Sequence, residues 1–164
     1  MQSNLREYDL GQVNEMYKIK INTRASIQWP LLKVIEWVIV DNHQEKIIVS
    51  IVGDTNEIKE WIHTNQEKIL NEQLPFNTKL QGSIAEKIVF FYKNINLDED
   101  KLVDAMFEYR LSHGIRFAHR GTDIPQIYIG KNNNYHEVSC LNEKGGWSYN
   151  FNANDLIESI LDLE

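Results

Sequence analysis

The chain has a single cysteine, Cys140, in 164 residues. No intramolecular disulfide can staple the fold, and no thiolate cluster can build a zinc site. Its setting in the run YHEVSC suits a small buried side chain better than a nucleophile. Proline is scarce at three residues and glycine numbers eight. No Pro-rich or Gly-rich linker, repeat or low-complexity tract divides the chain, so one globular domain over residues 1–164 is expected. No apolar run approaches the length that spans a bilayer, and the opening MQSNLREYDL lacks the apolar core of a signal peptide. A cytoplasmic protein without a membrane partner is the expectation. Basic charge is also in short supply. Against 24 acidic side chains stand 17 basic ones, a net charge of −7. Phosphate backbones are bound by basic surfaces, so direct nucleic-acid binding is not expected.

What the chain does have is enough apolar and aromatic side chain to form a core, 42% and 10% of residues. The acidity is uneven. Residues 51–100 carry nine acidic and five basic side chains, and residues 151–164 carry four acidic and none basic. An acidic surface focused in this way steers a basic partner toward it.

The pattern of elements predicts an α+β fold. Met16–Ile21 alternates as a strand. Leu31, Val34, Ile35 and Val38 have helical spacing after Pro30, which favours a helix over Pro30–Val38. A hairpin folding Trp37–Val40 onto Ile47–Val52 across Asp41-Asn42-His43 is the alternative. Lys46–Val52 is a strand by β-branching. Asp54 and Glu57 have capping-box spacing before a helix to about Glu72. Lys87–Lys93 reads as a strand and Asp98–His113 as a helix closed by Gly114. Ile115–Phe151 is punctuated by Gly, Pro and Asn at turn-sized intervals, the form of a four-stranded antiparallel meander. A last helix begins at Asn152 or Asn154. The expected architecture is a largely antiparallel sheet ending in that meander, with the helices packed on one face.

Candidate chemistry gathers around the meander in His113, Arg116, His119, Arg120, Asp123 and His136. Two histidines beside arginines suit acid–base cleavage of a phosphodiester, with His119, His136 and Arg116 or Arg120 as the working set. Strand alternation would place His119 with Ile115 and Phe117, and both arginines on the other face. Metal binding finds no chelating spacing, since HExxH is absent and His63 has no partner one helical turn away. Gly53 stands alone where a phosphate loop needs several glycines, and no GxSxG elbow occurs. No catalytic residue, metal ligand or cofactor is therefore assigned.

The segment HGIRFAHRGTDIPQIYIGKNNNYHEVSC resembles one found in small bacterial proteins. The whole chain is similar in size, acidity and α+β organisation to immunity proteins of bacterial toxin–immunity systems, such as contact-dependent growth inhibition. That resemblance implies a non-enzymatic cytoplasmic protein that binds a cognate toxin domain, often a basic nuclease, and neutralises it by occluding its active site. Contacts are expected first at Asp98, Glu99 and Asp100, next at Glu57 and Glu60, and then at Asp123. The alternatives are the small phosphodiesterase or RNase above and a structural or regulatory subunit.

Overall fold

Alternation prevails over helical spacing in residues 33–41. The sequence KVIEWVIVD sends Ile35, Trp37 and Ile39 to one face, and all three are buried. The computed structural model describes residues 9–10, 15–76, 79–96 and 98–164. In it, a two-residue strand β1 (Asp9–Leu10) precedes β2 (Met16–Ala25), β3 (Lys33–Asp41) and β4 (Gln44–Gly53). The helix expected over Pro30–Val38 is therefore not formed. Its residues are a turn and most of β3, and Leu31, which the helical stripe would have buried, is 96% exposed. The hairpin alternative is the one adopted. Asp41 pairs with Gln44 across Asn42-His43, and Asn42 takes the left-handed conformation (φ 44°) that a tight turn requires.

A second correction concerns residues 87–93, which are helical. α2 runs Ile84–Asn94. Ser83 Oγ accepts from Glu86 N at 3.2 Å and Glu86 Oε2 accepts from Ser83 N at 2.8 Å, a reciprocal capping box. Ile84, Ile88 and Phe91 then recur on one buried face at helical spacing. The other helices lie close to expectation: α1 (Thr55–Asn71), α3 (Asp100–His113) and α4 (Ala153–Leu161). Asp54 caps α1 by accepting from Asn56 N at 2.9 Å, and Asn152 caps α4 by accepting from Asn154 N at 3.1 Å.

The meander has three strands, not four: β5 (Ile127–Asn132), β6 (Tyr135–Asn142) and β7 (Gly145–Phe151). Ile115–Ala118 instead winds as one turn of 3-10 helix after Gly114, because Ile115 and Ala118, three residues apart, both turn into the core. The strand order is β4-β3-β2-β7-β6-β5, with β1 also on β7. Two antiparallel three-stranded units thus meet where β2 runs parallel to β7, at Met16↔Asn150 and Tyr17↔Phe151. The class is α+β with a mostly antiparallel sheet.

The helices occupy both faces of that sheet. Ile127, Ile129, Val138 and Phe151 pack with Ile58 and Ile62 of α1 and Leu156 and Ile160 of α4. Tyr128 faces the other way and packs with Ile84, Ile88 and Phe91 of α2 and Met106 and Tyr109 of α3. A single helical layer would have left that second face of β5–β6 in water.

Replacing Ser83 by Ala removes the cap of α2 and is expected to lower unfolding free energy by about 1 kcal/mol, measured by urea denaturation. A strand at 87–93 would be indifferent to the change.

Candidate functional site

The histidines and arginines of residues 113–136 are not drawn into one site. His119 is buried, and its Nε2 accepts the indole N–H of Trp37 at 2.8 Å. An accepting Nε2 places the ring proton on Nδ1, so the imidazole is neutral. Burial holds its pKa down at about 4. His113 is buried at the end of α3. Its Nε2 lies 3.2 Å from the Lys68 carbonyl oxygen, and its Nδ1 lies 2.9 Å from the Tyr109 carbonyl oxygen and 2.8 Å from Ser112 Oγ. Burial likewise pushes it to about 4, against the pull of the Tyr109 and Lys68 carbonyls. His136 Nε2 donates to the Leu70 carbonyl at 2.9 Å. These contacts bring His113 and His136 to carbonyls in the last turn of α1, where the chain runs out of N–H groups to offer; that of Lys68 also accepts from Glu72 N at 2.8 Å.

Arg116 and Arg120 are exposed, and the Arg116 guanidinium lies 5.7 Å from the centre of the Phe117 ring. With residues 115–118 helical, the alternation that set His119 beside Ile115 and Phe117 does not apply. His119 and His136 are held by different elements, β3 and α1, rather than converging on a shared atom. Among the described residues, no group of three or more His, Cys, Asp or Glu is placed to hold a metal ion, and no helix is long and apolar enough to cross a membrane.

The acidic candidates are all exposed, in separate places. Glu57 and Glu60, on the first turns of α1, line a groove of about 190 Å³ with Trp61, Phe117 and Arg120. Asp123 lies three residues beyond Arg120. Asp98, Glu99 and Asp100 stand apart at the start of α3. The far end of that helix carries Leu111, whose carbonyl accepts from Trp61 Nε1 at 3.1 Å. Asp100 and Leu111 are eleven positions apart on the helix, about 16 Å along the axis.

The most unusual surface lies at the tip of the β2–β3 hairpin. Ile27 is 99% exposed, Leu31 96% and Trp29 54%. The loop that carries them is held in shape. Ser26 Oγ accepts from Trp29 N at 3.2 Å, Leu32 N donates to the Trp29 carbonyl at 2.9 Å, and Ser26 N donates to the Leu32 carbonyl at 3.3 Å. Pro30 sits at the second position of that turn, where its fixed φ is favourable. The tip shares one end of the domain with the start of α1. Lys33 pairs with Gly53, and Asp54 to Glu57 follow directly. The chain's last residues come to the same end, where Lys59 Nζ donates to the Leu163 carbonyl at 2.6 Å and Lys33 Nζ to that of Glu164 at 2.5 Å. Exposed Glu57, Glu60, Asp162 and Glu164 therefore lie toward the end that carries the apolar tip. Sequence reasoning missed this loop. Its signal was three large apolar residues alternating around a proline, IQWPLL, between two alternating strands.

A buried polar network also escaped the sequence reading. Lys87 Nζ donates to Asn132 Oδ1 at 2.8 Å, and Asn132 Nδ2 donates to Glu137 Oε2 at 2.7 Å and to the Gly82 carbonyl at 3.1 Å. Glu137 Oε1 accepts from Ile84 N at the start of α2. Burial raises the Glu137 carboxyl, and the bonds from Asn132 and Ile84 oppose that shift. Burial lowers the Lys87 ammonium, opposed by Glu137. A cavity of about 350 Å³ opens over Lys87, between Gln73–Phe76 at the exit of α1 and Lys131–Asn133 at the β5–β6 turn.

The arrangement is that of an α+β domain with an apolar projection at one end of α1 and a lysine-floored cavity at the other. Comparison with protein-family models, curated proteins and solved structures finds no match for the chain.

Both buried histidines resist protonation in the fold but not in the unfolded chain, where the ordinary value is 6.5. The unfolded state gains protons as pH falls from 6.5 toward 4, so their contribution to stability is full above that window and drains within it. Each is expected to remove about 2 kcal/mol between pH 7 and pH 5. Urea denaturation at the two pH values checks this. His119→Gln, which keeps an acceptor for Trp37, should lose about half of the histidine-dependent slope.

Proposed function

We propose that this protein is a non-enzymatic binding module that captures a basic protein domain at the end of the molecule formed by the β2–β3 tip and the start of α1. The observation that carries this reading is the ordered exposure of Ile27, Trp29 and Leu31. Large apolar side chains in a contiguous exposed patch are costly in water and are characteristic of contact surfaces. Holding the loop in advance lowers the entropy lost on binding, and a tryptophan flanked by aliphatic residues has the make-up of an interface anchor. Exposed Glu57 and Glu60, on the first turns of α1 at the same end of the domain, supply charge that attracts and orients a basic partner.

Taken with the resemblance to immunity proteins, the partner is a toxin domain of nuclease type, met in the cytoplasm. The tip would fill an apolar cleft in the toxin, while Glu57 and Glu60 face the basic groups that otherwise hold substrate phosphates. Occlusion of this kind needs no chemistry from the binder. An ordinary interface of about 800 Å² per partner is enough, and the tip with the adjoining helix face is a suitable nucleus for one.

The test is co-expression with a candidate toxin domain from a neighbouring reading frame, followed by isolation of the complex. Growth should be restored and the two proteins should co-purify. Ile27→Asp and Leu31→Asp should each weaken the complex by about 2 kcal/mol, near thirtyfold. Both side chains lie in solvent, so the urea midpoint of the isolated protein should not move. Glu57→Lys with Glu60→Lys should slow association and flatten its dependence on salt. Undiminished toxicity, or affinity indifferent to the tip substitutions, would falsify the proposal.

A further inference from the structure

We propose that the cavity over Lys87 is a binding site for a small organic oxyanion, one whose carboxylate or phosphate meets the Lys87 ammonium while an apolar body lies against Leu74, Pro75 and Phe76. This goes beyond the partner-binding role and is independent of it. The cavity lies at the exit of α1, whereas the apolar tip lies at its start, and 17 helical residues span about 25 Å.

The floor of the cavity sets the ligand's chemistry. Lys87 is only 4% exposed, yet it lines the cavity. An ammonium group has three N–H donors, and among the described residues that of Lys87 donates to Asn132 Oδ1. Asn132 is fixed by its own bonds to the Gly82 carbonyl and Glu137, so it presents an acceptor to Lys87 on one side only. Glu137 is engaged by Asn132 and by Ile84 N. The ion pairs within 4.0 Å among the described residues are Lys20–Glu45 and Arg24–Glu36, and neither involves Lys87. A buried cation with no carboxylate within 4.0 Å among the described residues is expensive to maintain. An anion entering the cavity would reach its remaining donors and offset that cost.

The walls set size and shape. A volume of about 350 Å³ lies at the small end of ligand pockets and fits a molecule of metabolite size. Lys131 adds a second cation at the cavity lining, and Leu74, Pro75 and Phe76 form the apolar side. The site is built before the ligand arrives. Gln73 Nε2 donates to the Asn133 carbonyl at 2.9 Å and Gln73 Oε1 accepts from Asn133 N at 3.2 Å, which clamps the α1 exit to the β5–β6 turn. Left-handed Asn133 (φ 56°) makes the turn tight enough for that clamp.

The experiment is a titration of the isotope-labelled protein with inorganic phosphate and, separately, with benzoate, followed by amide NMR shifts. Saturable shifts centred on Lys87 and Lys131–Asn133 are expected, and the probe that saturates at lower concentration tells phosphate recognition from carboxylate recognition. Lys131→Gln changes a partly exposed side chain. It should weaken binding several-fold, to about tenfold, the size of one charge-assisted contact. Lys87→Met should abolish the saturable shifts. If Lys87 is only a tie within the fold, neither probe will shift these amides saturably, or the shifts will survive both substitutions. Either result overturns the proposal, and Lys131→Gln decides the matter even if Lys87→Met fails to fold.

Discussion

Two residue pairs join the sheet: Met16 opposite Asn150 and Tyr17 opposite Phe151. On one side lies the unit β2–β3–β4, on the other β5–β6–β7, each held internally by long antiparallel ladders. So short a parallel seam is weak by itself, and side chains and helices reinforce it. Tyr17 meets Tyr149 edge to face at 5.0 Å. Phe151 is buried in the main core, and α4 begins two residues later, laying Leu156, Ile157 and Ile160 into the same cluster as β2 and α1. The larger of the two clusters is therefore one body spanning both units.

α1 is the post around which the polar ties are arranged. Trp61 reaches the Leu111 carbonyl from its middle, while His113 and His136 come to the carbonyls of Lys68 and Leu70 near its end. Each tie links the helix to an element distant in sequence, α3 or β6. Residues that looked like chemistry along the chain are thus spent on closing a helix terminus and seating an indole. The surfaces left for function lie at the two ends of the post: an apolar tip with acidic neighbours at one, and a lysine-floored cavity at the other.

Much of the fold was legible. The β2 and β4 strands, α1, α3, α4 and the turns of residues 127–151 follow from alternation, caps and asparagine-rich turn sites. The misread segments share a cause. Residues 33–38 satisfy helical and strand periodicities together, and pairing with β4 on one side and β2 on the other decided between them. Residues 87–93 are as β-branched and aromatic as a strand, but Ser83 and Glu86 cap them into a helix, and Tyr128 offers that helix a face to cover. Residues 115–118 were drawn into the meander by composition, although they had only one turn in which to bring Ile115 and Ala118 inward.

For the sites, the division is sharper. By itself, the sequence determined that the protein is acidic, folded as α+β and without a motif for metal, nucleotide or nucleophile chemistry, because composition and local spacing are properties of the chain alone. It also placed Glu57 and Glu60 on an exposed helix start. Only the tertiary structure decided that His119 faces Trp37, 82 positions away in the chain, that Lys87 sits beneath a cavity beside Asn132, and that Ile27 and Leu31 point into solvent. Burial and partnership depend on what the rest of the chain brings alongside, and periodicity within a segment carries no record of that.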